Sequence, residues 1–119
     1  MNDQIVFPHQ KLDAYRLSRE LAVGVRKARI SHAELRDQAE RASVSVFLAL
    51  NEGLPFASVK MRAQFFLRAK ASLCELVGAL DLACELGALD AVLARELHGI
   101  AARVAAILVG LLRPTASRA

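Results

Sequence analysis

The chain has 119 residues, 55% of them hydrophobic but only 5% aromatic, no tryptophan, and a net charge of +4. Such a length sets a single domain with enough interior to stand without a metal or a disulfide, and the alanine-rich, aromatic-poor composition argues for helices over sheets. No apolar run reaches the ~18 to 20 residues of a membrane span, and the opening MNDQIVFPHQ lacks the basic start and apolar core of a secretory leader, so a cytoplasmic protein without membrane contact is expected.

In chain order, residues 1–10 read as a loose, flexible lead-in, with Pro8 blocking an earlier helix start. A first helix is predicted over 11–28, with Ala14, Leu17, Leu21, Val25 and Ala28 on one face. Arg26, Lys27 and Arg29 crowd its C-terminal end, where they either complement the helix dipole or meet a polyanion. Ser31-His32-Ala33-Glu34 has the form of a capping box with the serine as cap. It opens a second helix, to residue 53, whose inner stripe is read as Leu35, Gln38, Ala42, Ser45 and Ala49. From Val44 to Leu50 this helix is apolar on nearly every side. A helix that is apolar all round is buried all round, and a small bundle cannot surround one of its own helices. Val44, Val46, Phe47, Leu48 and Leu50 are therefore expected to lie between this bundle and another chain. Gly53 suits the left-handed position after a helix, and Pro55 prevents continuation.

Ser58 is the expected cap of a third helix reaching about residue 86, with Phe65, Ala69, Leu73, Leu76, Leu80 and Ala83 as its stripe. Gly87 ends it and Asp90 caps a fourth helix, which Pro114 stops. There Leu93, Leu97, Ile100, Val104, Ile107 and Leu111 alternate spacings of three and four, the pattern of a coiled-coil seam. Val92, Leu108, Val109 and Leu112 fall outside that seam, and the last three join the expected oligomer interface. Residues 113–119 read as a disordered tail. Four helices with short links predict an all-α, antiparallel up-down-up-down four-helix bundle over 11–112. Cys74 and Cys84 are ten positions apart on one helix, about 15 Å, too far for a bridge. They are expected as reduced, buried, small hydrophobes.

Catalysis finds little footing. His9, His32 and His98 share no spacing that suggests a metal or a base, no Glu-x-x-His pair is present, and there is neither a phosphate-binding glycine loop nor a nucleophile motif. The expectation is a non-enzyme with no cofactor and no metal. Basic residues collect on the first helix (Arg16, Arg19, Arg26, Lys27) and in the N-terminal half of the third (Lys60, Arg62, Arg68, Lys70). Two readings stand side by side: solvated faces offset by Glu20, Asp81 and Glu85, or a sequence-independent, salt-sensitive contact with RNA or DNA phosphates.

Gln38-x-x-Arg41-Ala42-x-x-Ser45-Val46, followed by Glu52-Gly53, and Phe65-Phe66-x-x-Ala69-x-Ala71-Ser72-Leu73-x-Glu75-Leu76 resemble the two signatures of the four-helix-bundle proteins encoded within intervening sequences of bacterial 23S ribosomal RNA genes. The likeness runs from about Leu12 to Leu112 and takes in the Leu86-Gly87 turn. The chain departs at Ala49, where the family usually has Asn, with Asn51 two positions later. It departs again at Phe47 in place of a proline, and at Ala71 in place of Gly. The resemblance implies a homo-oligomer in the form of a pentameric ring. It also implies kinship with accessory proteins of diversity-generating retroelements, basic bundles that assist a reverse transcriptase and bind nucleic acid. The polar members of the motifs, Gln38, Arg41, Ser45, Glu52, Ser72 and Glu75, read either as a site or as a structural network between helices. In the network reading Glu75 pairs with Arg41, and Ser45 and Ser72 are the small residues at a close helix contact. The expected role is a self-assembling scaffold or adaptor with a partner protein; the alternative is a nonspecific nucleic-acid-binding accessory protein.

Overall fold

A computed structural model describes residues 8–56 and 58–113. Of the lead-in expected over 1–10, residues 1–7 lie outside the described residues, as do residues 114–119 of the tail expected over 113–119. Four helices follow one another: α1 (Pro8–Ala28), α2 (Ala33–Gly53), α3 (Val59–Glu85) and α4 (Ala91–Leu112). α1 starts three residues before its predicted position, at Pro8 itself. Proline is well suited to a first helical position, because the N–H it lacks has no partner there anyway.

Neighbouring helices run in opposite directions, as the residues that meet require. Tyr15 of α1 faces Phe47 of α2 with ring centroids 5.6 Å apart, and Arg26 reaches Glu40 at 3.8 Å. Ser45 of α2 meets Ser72 of α3, and Asp81 of α3 meets His98 of α4. Contacts join α1 to α2, α2 to α3, α3 to α4 and α4 to α1, so the helices close a square. Among the described residues α1 and α3 make no such contact and stand at opposite corners.

The predicted stripes are right in spacing but are turned in two helices by one position. In α2 the buried residues are Ala39, Ala42, Ser43, Val46, Ala49, Leu50 and Gly53, while Gln38 is exposed and Leu35 and Ser45 are half-buried. In α4 they are Ala94, Leu97, Ala101, Val104, Leu108 and Leu111, so Leu93, Ile100 and Ile107 flank the seam. In α3 the core takes Phe66 in place of Phe65. Small residues account for this: Ala39, Ala94 and Ala101, outside the predicted stripes, turn inward where short side chains fit between neighbouring helices, and larger side chains lie beside them. Val46 and Leu50, expected at a subunit interface, are 0% exposed within the single subunit, and Leu108 is 1% exposed. A side chain with no accessible surface cannot cover a neighbour, so these three belong to the subunit's own core.

The helix ends explain other differences. Ser31 is not the cap of α2. Its backbone N–H donates to the Ala88 carbonyl at 3.0 Å and its Oγ leans to the same oxygen, which leaves His32 Nδ1 to accept from Leu35 N–H at 3.3 Å. Ser58 and Asp90 cap α3 and α4 by accepting from Met61 and from Val92 and Leu93. Gly87 sits at φ +75°, Gly87 N–H donates to Cys84 and Ala88 N–H to Ala83. This pair of bonds is the Schellman closure that glycine makes possible. Gly53 is not left-handed: it is the last residue of α2. A Cβ there would lie 2.7 Å from Phe65 Cβ, so the glycine serves close approach of α2 to α3. The left-handed non-glycine residue among those described is Arg29, at φ 50°, after α1.

Candidate functional site

The motif residues converge on one place. Gln38, Arg41, Ala42 and Ser45 of α2 and Ser72 and Glu75 of α3 line an open polar cleft of about 350 Å³. They share it because the four-residue and three-residue steps along each helix return to one side, and because alanine and serine at the crossing hold the two backbones close. At its floor the Ser45 and Ser72 hydroxyls lie 2.8 Å apart. Higher up, Gln38 Nε2 donates to Glu75 at 3.4 Å, and Arg41 donates to the Gln38 amide oxygen at 3.3 Å. Arg41 thus reaches Glu75 through Gln38 and not directly, as the sequence reading had it. All three of these side chains are exposed. Glu52 does not join them; it is exposed about two turns beyond Ser45. The cleft's donors and acceptors largely satisfy one another, which is how a structural link between two helices behaves.

The basic residues do not form one surface. Arg16, Arg19, Arg26 and Lys27 are exposed on α1, and Lys60, Arg68 and Lys70 on α3, at the opposite corner. Arg26 is engaged with Glu40. Arg62 is 5% exposed and donates to the Phe56 carbonyl at 2.6 Å, so it holds the α2–α3 link rather than facing outward. Arg68 lies 5.3 Å from the Phe65 ring, which itself stacks on Phe56 at 5.4 Å. His32 is a helix cap and His98 pairs with Asp81. No group of three or more His, Cys, Asp or Glu side chains among the described residues is placed to hold a metal ion.

The sequence places the expected interface on α2 and α4 alone; the structure adds residues of α1 and α3, and the apolar surface falls on two opposite sides of the bundle. On the α1/α2 side, Leu12, Tyr15 and Val23 of α1 are exposed, as is Val44 of α2, which shares a groove with Val23; Leu48 is exposed one turn beyond Val44. Two grooves run there, one lined by Ala22, Val23, Arg26, Lys27, Glu40 and Val44, the other by Lys11, Leu12, Tyr15, Asn51, Leu54 and Pro55. On the α3/α4 side a groove of about 370 Å³ is lined by Leu73, Cys74, Ala105, Leu108, Val109 and Leu112, with Lys70 and Arg113 at its rim. Of the expected interface residues, Val44, Leu48 and Val109 are exposed, while Phe47 and Leu112 are half-buried, Phe47 against Tyr15. Cys74, expected as buried, is an exposed free thiol, and Cys84 is free and half-buried. The available signal was off-stripe apolar residues in α1: Leu12, Tyr15 and Val23 lie outside the Ala14-Leu17-Leu21-Val25 face and have no inward position to fill.

No helix among the described residues is long and apolar enough to cross a membrane. A search of curated proteins finds no match to the chain. The model of one family does match it, over residues 10–110, which take in all four helices, both motifs and the cleft they build: the chain belongs to the 23S rRNA-intervening sequence protein family.

Proposed function

We propose that the protein is a non-enzymatic building block that assembles with copies of itself and serves as an oligomeric scaffold or adaptor for a partner protein. The observation that carries this reading is the apolar surface left open on two sides of a bundle whose core is already full. Val44 and Leu48 are 48% and 51% exposed, one turn apart on α2, and Val109 is 54% exposed beside the α3/α4 groove. Scattered exposed leucines carry no meaning, but contiguous patches mark contact surfaces, and covering them is favourable by about 25 cal/mol per Å². Resemblance to the family supports a ring of five copies, as an analogy only. The unbridged cysteines suit a reducing compartment, and we take the cytoplasm as its place. Sedimentation at micromolar concentration tests the reading. The expected species has several times the mass of one chain, and a compact single subunit overturns it.

The second reading, nonspecific binding of RNA or DNA, rests on Arg16, Arg19 and Lys27, which are exposed together on α1. A ring would repeat that strip around its circumference. With Arg62 buried and α3 at the far corner, the strip on α1 alone carries it. Binding to random RNA and duplex DNA across a salt titration tests it: phosphate contacts weaken steeply as salt rises, and no retention at low salt removes this reading.

A further inference from the structure

The α2/α3 cleft holds more polar capacity than its own bonds use. Arg41 of α2 and Glu75 of α3 line the same cleft, yet among the described residues neither forms an ion pair. The Gln38 amide stands between them, accepting from Arg41 at 3.3 Å and donating to Glu75 at 3.4 Å. This orientation alone serves both neighbours, because a guanidinium only donates and an ionised carboxylate only accepts. A neutral group thus bridges a cation and an anion, with its two polar atoms carried on one carbon. Capacity remains on every side. A guanidinium has five N–H groups, and Arg41 spends one on Gln38. Glu75 accepts from Gln38 alone among the described residues. At the floor Ser45 and Ser72 share one hydrogen bond at 2.8 Å. Each hydroxyl brings a proton, so one proton and several lone pairs are left over, beside a Ser72 that is only 7% exposed.

We propose that this cleft binds a small zwitterion, the head group of a free α-amino acid. The α-carboxylate sits on Arg41, the α-ammonium on Glu75, and the serine hydroxyls lie beneath. The ligand takes over the bridge that Gln38 makes, and its two charged groups are attached to one carbon as the amide's two atoms are. Charge argues against simpler ligands. A bare anion on Arg41 meets the Glu75 carboxylate, and a bare cation on Glu75 meets the Arg41 guanidinium; like charges so juxtaposed are unfavourable. A zwitterion meets an opposite charge at each end, through charge-assisted hydrogen bonds, the strong ones. Size points the same way. At about 350 Å³ the cleft stands at the small end of ligand sites, which span roughly 300 to 1,000 Å³. It lies between α2 and α3, off both apolar faces, so the proposal goes beyond the assembly reading and stands or falls without it.

Three probes of one size test this, titrated at equal ionic strength into the isotope-labelled full-length protein with its backbone amide resonances followed. L-alanine carries both charges, L-lactate only the carboxylate and L-alaninamide only the ammonium. L-alanine is expected to give saturable shifts at Ala42, Ser45 and Ser72, which line the cleft. The other two are expected to bind about tenfold more weakly or worse, since each lacks one charged contact. Arg41→Gln and Glu75→Gln each remove one charge and keep an amide at an exposed position. Each is expected to weaken L-alanine binding by about tenfold or more, with circular dichroism melts showing that the fold is kept. No saturable shift with L-alanine, equal responses to the three probes, or unchanged affinity in either folded variant overturns the proposal. Should a variant unfold, the ranking of the three probes on the native chain decides alone.

Discussion

Alanine at two glycines of this protein is expected to act with opposite sign. At Gly53 an added Cβ lies 2.7 Å from Phe65 Cβ and 3.0 Å from Phe66 Cε1. Phe65 Cβ is fixed to the α3 backbone and cannot swing aside, and Phe66 is 1% exposed and held on every side. Relief therefore means moving α2 away from α3 at their crossing. Overpacking of this kind costs about 1 to 3 kcal/mol. The better helix propensity of alanine returns up to about 1 kcal/mol, less at a helix end. The net loss is about 1 to 2 kcal/mol, which lowers Tm by roughly 5 to 10 °C in a domain of this size. At Gly78, in the middle of α3, nothing beyond its chain neighbours and its own stretch of helix backbone lies within 4 Å of the added carbon, so only the propensity gain remains and Gly78→Ala raises stability by about 0.5 to 1 kcal/mol. Urea titrations followed by circular dichroism at 222 nm read both. A Gly53→Ala protein as stable as Gly78→Ala would refute the reasoning, since it would mean that the close approach of α2 and α3 carries no constraint.

Two further outcomes follow from the helix links. Removing the buried guanidinium by Arg62→Met leaves the Phe56 carbonyl without its 2.6 Å donor, and is expected to cost about 1.5 to 3 kcal/mol. Arg68→Met, which loses one exposed contact with the Phe65 ring, is expected to cost no more than about 1 kcal/mol; equal melts for the two would contradict the anchoring role of Arg62. Arg29 occupies a left-handed conformation at φ 50°, which penalises an L side chain by roughly 1 to 2 kcal/mol, so Arg29→Gly is expected to raise the melting temperature by a few degrees, and a drop would count against strain at that turn.

The class of fold was legible because spacing alone specifies amphipathic helices, and Ser58, Asp90 and Gly87 punctuate them as their chemistry dictates. The rotation of each helix was less so. In α2 and α4 the pattern offers two apolar stripes one residue apart, and which of them turns inward depends on where alanines let a neighbouring backbone approach, a property of the pair of helices. That is why Val46, Leu50 and Leu108, expected at a subunit interface, lie in the core of a single subunit. The cap of α2 went to His32 because Ser31 is drawn to Ala88, 57 positions away, and no local motif records such a pull. The polar cleft was the most readable part of the site. Five of the six polar motif residues sit together, Glu52 lies apart, and the wiring differs, with Gln38 interposed between Arg41 and Glu75. Arg62 could not be read as buried, because the Phe56 carbonyl it donates to is a backbone group in the preceding link, and any basic residue at that spacing looks the same in a sequence.

The bond from Ser31 to the Ala88 carbonyl joins the α1–α2 turn to the α3–α4 turn. Beside it Arg36 donates to the carbonyl of Ile30, and Ile30 and Leu89 are buried. The two hairpins are thereby stitched together at one end of the bundle. Lengthening either turn would tear that seam and disturb both halves at once, so evolution and protein engineers alike must treat these two distant bends as a single joint, inherited or redesigned as one.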